Sequence, residues 1–144
     1  METDINAYIK RQFGVEEVDI RTYSPLALAY IGDGVFDLVI RSVIVGRGNT
    51  GASRLHHRTS HIVKAHTQAK IAESLLPHLT EEEATVYRRG RNAHSPTMAK
   101  NATMSDYRKA TGLEALFGYL YLAGQFERIV SLIREGLVQT GERI

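Results

Sequence analysis

The chain has 144 residues, 43% of them hydrophobic and 24% charged, with a formal net charge of +2. That is ordinary for a soluble globular protein and long enough for one domain, over residues 1–144, with a sizeable core. With no cysteine there are no disulfides and no thiolate metal site. The acidic start Met1-Glu-Thr-Asp lacks the apolar run of a signal peptide. No uncharged apolar stretch reaches the ~18 residues of a membrane span, so a cytoplasmic protein with no membrane partner is expected.

The small net charge hides a segregated distribution. Residues 41–70 hold Arg41, Arg47, Arg54, Arg58, Lys64 and Lys70, four histidines and no acid. Residues 88–109 hold Arg88, Arg89, Arg91, Lys100, Arg108 and Lys109 against Asp106 alone. Such a surface suits a polyphosphate partner, nucleic acid above all, although a solvated basic face would read the same.

In chain order, residues 4–13 predict a short helix with Ile5, Tyr8, Ile9 and Phe13 on its apolar side, and 15–23 a mixed linker. Ser24-Pro25 is a cap followed by a proline in the first helical turn, opening a helix to about Val45. Glycines 46, 48 and 51 end it in a turn. Within this helix, Ala29, Asp33 and Ile40 fall within about 40° of one another at ~100° per residue, so Asp33 points from an apolar flank. A lone buried carboxylate is costly without a cationic partner. Gly32 and Gly34 beside it each weaken the helix by roughly 1 kcal/mol against alanine. A close backbone, a metal or a phosphate would account for this pattern, and so would a buried aspartate paired with Arg or Lys between glycines that let helices pack.

Residues 52–76 predict one helix with a stripe of Leu55, Ile62, Ala65, Ala69, Ala72 and Leu76 and a basic, histidine-rich opposite side. His57 and His61 have a metal-compatible spacing, but Arg58 stands where a zinc protease needs glutamate, so they read as surface residues. Pro77 closes that helix. Thr80-Glu-Glu-Glu83 is a capping box for a short helix ending near Asn92. Residues 90–104 lack periodicity and predict a polar loop whose Arg91, Asn92, His94 and Lys100 suit phosphate contacts. Ser105-Asp106 is the expected cap of the next helix and Gly124 its end. That helix is apolar nearly all round, except for Glu114, which has Gly118 beside it one turn on. The last helix, 125–139, turns Phe126, Ile129, Val130, Ile133 and Leu137 inward.

Two core helices, each with one inward acid beside a glycine, are expected to cross with Asp33 and Glu114 facing each other. Carboxylates that close repel unless a proton or cation lies between them. Oxygen donors without cysteine favour a hard cation such as Mg²⁺ or Mn²⁺.

Tyr30-Ile-Gly-Asp-Gly-Val-Phe-Asp37 resembles the E-x-L-G-D-A-V-L signature of the ribonuclease III endonuclease domain. Gly112-Leu-Glu-Ala-Leu-Phe-Gly-Tyr-Leu-Tyr121 resembles that family's second signature, D-x-x-E-A-x-x-G-A-x-Y, at the fitting spacing of about 80 residues. The chain stops where a ribonuclease III continues into a double-stranded RNA-binding domain, so it resembles the bacterial form made of the catalytic domain alone. The resemblance implies an all-α, homodimeric, metal-dependent endonuclease. It would cut both strands of double-stranded RNA, leaving 5′-phosphates and short 3′ overhangs. It also implies maturation of the large-subunit ribosomal RNA precursor, with a ribosomal protein or precursor particle as a further partner.

Carried over by position, Asp33 and Glu114 become catalytic metal ligands for Mg²⁺, with Mn²⁺ as a substitute. Two further family acids are replaced here by Ala29 and Thr111. Asp37 is either an outer-shell acid or the partner of Arg41 one turn on. The implied chemistry is metal-assisted attack of water on a phosphodiester, with Lys100 or Arg91 clamping the phosphate. Arg54, Arg58, Lys64, Arg88, Arg91, Asn92, Lys100 and Arg108 are the expected RNA contacts, reading groove shape more than sequence. Loop 92–104 is expected to add grip in place of the missing RNA-binding domain. A catalytically silent double-stranded RNA-binding helical dimer is the alternative. An unrelated helical hydrolase of small phosphate esters fits less well, because the basic surface is larger than a small ligand needs.

Overall fold

A computed structural model describes residues 4–93 and 103–144. Among them are seven α-helices and no strand: α1 (Ile5–Phe13), α2 (Pro25–Arg47), α3 (Ala52–Val63), α4 (Ala65–Leu75), α5 (Glu81–Asn92), α6 (Met104–Leu122) and α7 (Phe126–Thr140). Short 3-10 turns at Ile20–Thr22 and Leu76–His78 join them. The all-α expectation holds.

Helix α6 is the axis of the bundle, packed against α2, α5, α4 and α7. Its sequence explains this, since Leu113, Ala115, Leu116, Phe117 and Leu120 leave almost no polar face. The Phe117 ring stacks on Phe36 of α2 with centroids 5.7 Å apart and planes 15° from parallel. Ile40, Ile44, Ile71, Leu75, Ile129 and Leu132 close around that pair. Each such side chain contributes roughly 1.5–3 kcal/mol by leaving water. A second cluster, Leu28, Ala29, Val86 and Ala115, joins α2, α5 and α6.

The helix ends follow local chemistry in most places. The Ser24 hydroxyl accepts from the Ala27 amide with Pro25 beside it, as expected. The Thr80–Glu83 capping box forms completely, and Arg128 of α7 pairs with the same Glu83 carboxylate at 2.8 Å. At α6 the cap is Thr103, whose hydroxyl accepts from the Asp106 amide at 3.0 Å. The expected Ser105-Asp106 cap is therefore misplaced by two residues.

Three further expectations are corrected. The helix predicted over 52–76 is two helices, because Lys64 is extended (φ −67°, ψ 154°). The carbonyls exposed by that break are taken by the next helix. The Thr67 hydroxyl donates to His61 O at 2.8 Å, and Gln68 Nε2 donates to Val63 O at 2.7 Å. Ala69 and Ala72 keep the predicted inward face, and α4 ends at Leu75. Leu75 and Ile71 are buried, while Leu76, predicted to face in, is exposed. Second, the apolar side of α1 is not covered among the described residues; Ile5, Tyr8, Ile9 and Phe13 are all exposed. Third, Val130 of α7 faces out and Leu132 takes its place in the core.

Candidate active site

The site lies where α2 crosses α6, and glycine sets the distance. A Cβ on Gly32 would sit 1.7 Å from the Glu114 carbonyl oxygen, and one on Gly118 would sit 1.9 Å from the Leu28 carbonyl oxygen. Each glycine thus admits the other helix's backbone. Gly34 is different: nothing lies within 4 Å of its Cβ position. Close approach explains one of the two glycines beside Asp33 and not the other.

This crossing brings Asp33 and Glu114 together. Asp33 is exposed, not buried in an apolar flank as the helical wheel suggested, and Glu114 is half-buried beneath it. Burial first, then the hydrogen bond and charge of Asp33, push the Glu114 carboxyl up to about 8. Gln68 opposes the shift by donating to the Glu114 carboxylate. Without a cation, Glu114 holds a proton at neutral pH beside Asp33. Two oxygen-donor side chains held that close, one open to solvent, fit a hard divalent cation that would take the proton's place.

The positions of the two absent family acids supply no carboxylate. Ala29 is buried in the small apolar cluster. The Thr111 hydroxyl donates to its own helix, to Tyr107 O at 2.9 Å. Among the described residues no group of three or more His, Cys, Asp or Glu side chains is placed to hold a metal. Asp37 is paired with Arg41 at 2.7 Å. His61 contacts Glu142 at 3.1 Å, which agrees with a surface role for that histidine.

One polar side chain of the site has no counterpart in the sequence reading. Gln68 of α4 is 3% exposed, and its Nε2 lies 3.4 Å from Glu114 Oε2. Its Oε1 is buried with no hydrogen-bond partner. Residue 68 lies one turn before Ala72, about 40° from that edge of the predicted apolar stripe, but a glutamine there does not read as a core residue. The packing of α4 on α6 buries it, and no proline or glycine marks the break at Lys64 where α4 starts.

The predicted RNA contacts fall into two groups. Arg91, Asn92 and Arg108 line one cavity with Ser105 and Lys109, where the end of α5 meets the start of α6. Arg91 also lies 5.9 Å over the Tyr87 ring. Arg54 and Arg58 are on α3, Lys64 is in the break, and Arg88 donates to Thr85 on α5. Parts of the basic runs are neutralised from elsewhere: Lys70 by Glu142, Lys109 by Glu73 and Arg41 by Asp37. Lys100 and His94, with most of the predicted loop, lie outside the described residues, while Gly90–Asn92 belong to α5.

Residues 26–125 match the family model described as Ribonuclease III domain, which sets the class of the protein as an endoribonuclease. The Mini-ribonuclease 3 of Enterococcus faecalis is 44% identical over 126 residues, 86% of this chain and 96% of that protein. That of a Thermoanaerobacter species is 41% identical over 133 residues, 92% of this chain and 94% of that protein. The crystal structure of protein FN1578 from Fusobacterium nucleatum superposes with a TM-score of 0.77 at 31% identity, covering 88% of this chain and all of that one. The chain belongs to the ribonuclease III family, in its Mini-ribonuclease 3 branch.

Proposed function

We propose that this chain, as a single catalytic domain over residues 1–144, hydrolyses phosphodiesters in double-stranded RNA at the Asp33–Glu114 pair. The observation that carries the proposal is the meeting of those two carboxyls at a glycine-tightened helix crossing. Mg²⁺ is the proposed cation, with Mn²⁺ as substitute. When bound, it supplies Lewis acidity that activates water and neutralises charge on the reacting phosphate.

The residues divide the work by exposure. Asp33, open to solvent, meets a polymeric substrate without any rearrangement of the core. Glu114, held by the fold and by Gln68, fixes the inner side of the site. It has to give up its proton before both acids can act as ligands. Water adds to phosphorus, the bond to the 3′ oxygen breaks, and that oxygen leaves with a proton, so the product keeps a 5′-phosphate. Arg91, Asn92 and Arg108, with Arg54, Arg58, Lys64, Arg88 and Lys100, are proposed to hold the RNA backbone. The physiological reading is a cytoplasmic homodimer that matures the large-subunit ribosomal RNA precursor, alone or on a ribosomal precursor particle.

The alternative, a silent double-stranded RNA-binding dimer, is favoured by one observation, the absence of an acid at Ala29 and Thr111. Cleavage of a long duplex RNA in Mg²⁺ separates the two. The native chain is expected to cut, and Asp33→Asn, Glu114→Gln and a chelator to abolish cutting while RNA binding persists. Binding without cutting by the native chain favours the silent reading.

A further inference from the structure

Gln68 is a poor choice for filling a core. It is long, costly to order and 3% exposed, and one of its two polar atoms is unsatisfied. Leucine or methionine would occupy a similar volume without burying an orphan carbonyl. The amide orientation is set by chemistry, because Val63 O needs a donor and receives Nε2 at 2.7 Å. The same nitrogen lies 3.4 Å from Glu114 Oε2, so Oε1 is left on the other branch of the planar group with nothing to accept from. Asp37 is committed to Arg41 and Thr111 to Tyr107. Gln68 is thus the polar group beside Glu114 whose bonding is incomplete.

We propose that Gln68 is a positioning residue of the cation site: Nε2 fixes the Glu114 carboxylate, and Oε1 accepts a hydrogen bond from the hydration shell of the bound cation. The assignment rests on the Asp33–Glu114 metal reading above. An amide suits the task because it orients a ligand without adding charge. It also offers an acceptor that a polarised water matches well. Groups that orient metal ligands typically change affinity by about 10–100-fold when lost.

The test is calorimetric titration of Mn²⁺ into the RNA-free protein, comparing native, Asp33→Asn, Gln68→Leu and Gln68→Asn chains. Gln68→Leu is expected to bind Mn²⁺ about 10-fold or more weakly. Its Mg²⁺ requirement for cleavage should rise in parallel, and its rate should recover at saturating Mg²⁺. Gln68→Asn, one methylene too short to span Val63 and Glu114, should be weakened as well. A folded Gln68→Leu chain that binds Mn²⁺ within about twofold of native overturns the assignment. Should that variant not fold, native affinity in Gln68→Asn overturns it equally. Failure of the native chain to bind Mn²⁺ overturns the metal site itself, and Gln68's role with it. Native binding lost in Asp33→Asn but kept in the Gln68 variants removes Gln68 alone.

Discussion

Gly32→Ala and Gly34→Ala are the same chemical change two residues apart on one helix, and the structure predicts opposite signs. Alanine improves helix propensity by roughly 1 kcal/mol at either position. At Gly34 nothing lies within 4 Å of the new methyl, so that gain is kept. The family signature quoted above has alanine there. At Gly32 the methyl would lie 1.7 Å from the Glu114 carbonyl oxygen. Carbon–oxygen contacts rest at roughly 3.3–3.6 Å, so α2 and α6 must part by about 1.5 Å or more. The obstacle is backbone on another helix, and no rotamer change relieves it. A gap of 0.5–1 Å already forfeits about a quarter to a half of the dispersion energy across a contact. Overpacking of this kind costs about 1–3 kcal/mol and occasionally more, and here it strikes the central crossing, so a net loss of about 3 kcal/mol is expected. For a chain of this length 1 kcal/mol corresponds to about 3 °C in Tm. Thermal unfolding followed by helical circular dichroism should show Gly34→Ala up by about 3 °C and Gly32→Ala down by about 10 °C. Gly32→Ala should also weaken Mn²⁺ binding, since its clash moves the Glu114 backbone. A neutral Gly32→Ala, or equal losses at both positions, would refute close backbone approach as the reason for Gly32.

Other consequences are as direct. The folded-state value of Glu114, about 8, lies above its ordinary value of 4.5, so the folded protein holds more protons than the unfolded chain between them. Stability of the metal-free protein is therefore highest below about pH 4.5 as far as this group is concerned, and falls by up to a few kcal/mol as pH rises toward 8. Urea unfolding in a chelator across that range should show the slope, and Glu114→Gln should flatten it. Thr103→Ala should cost about 1 kcal/mol in urea unfolding, because it removes the α6 cap. Ser105→Ala should stay within about 0.5 kcal/mol, and the reverse order would contradict the cap assignment. Arg58→Ala and Arg108→Ala should each weaken duplex RNA binding and reduce the salt slope by about 1, measured by filter binding at several KCl concentrations. An unchanged slope would remove that residue from the phosphate contacts.

Much of this molecule was legible from local signals. Ser24-Pro25 and the Thr80–Glu83 box announced helix starts because their donors and acceptors lie within a few residues. Asp33 and Glu114 stood out because each was an acid beside a glycine in a helix otherwise built for the core. Gly32 and Gly118 then proved to be the contact points of the crossing. Tertiary structure decided what local periodicity cannot. Periodicity assumes an unbroken phase, and the break at Lys64 is stabilised by Thr67 and Gln68 side chains bonding back to His61 and Val63, with no glycine or proline to signal it. The packing of α4 on α6 brings Gln68 into the site, and Leu76 leaves the core because α4 ends at Leu75 and the chain turns there. Exposure was a second such matter, since Asp33 sits on a core helix yet faces solvent, and only the positions of α3, α5 and α6 determine which side of α2 is covered. Charge was the third. The basic runs contain almost no acid in sequence, yet Glu142, Glu73 and Asp106 reach Lys70, Lys109 and His66 across the fold. Which cations remain for RNA depends on that folding, because an ion pair is made by distance in space.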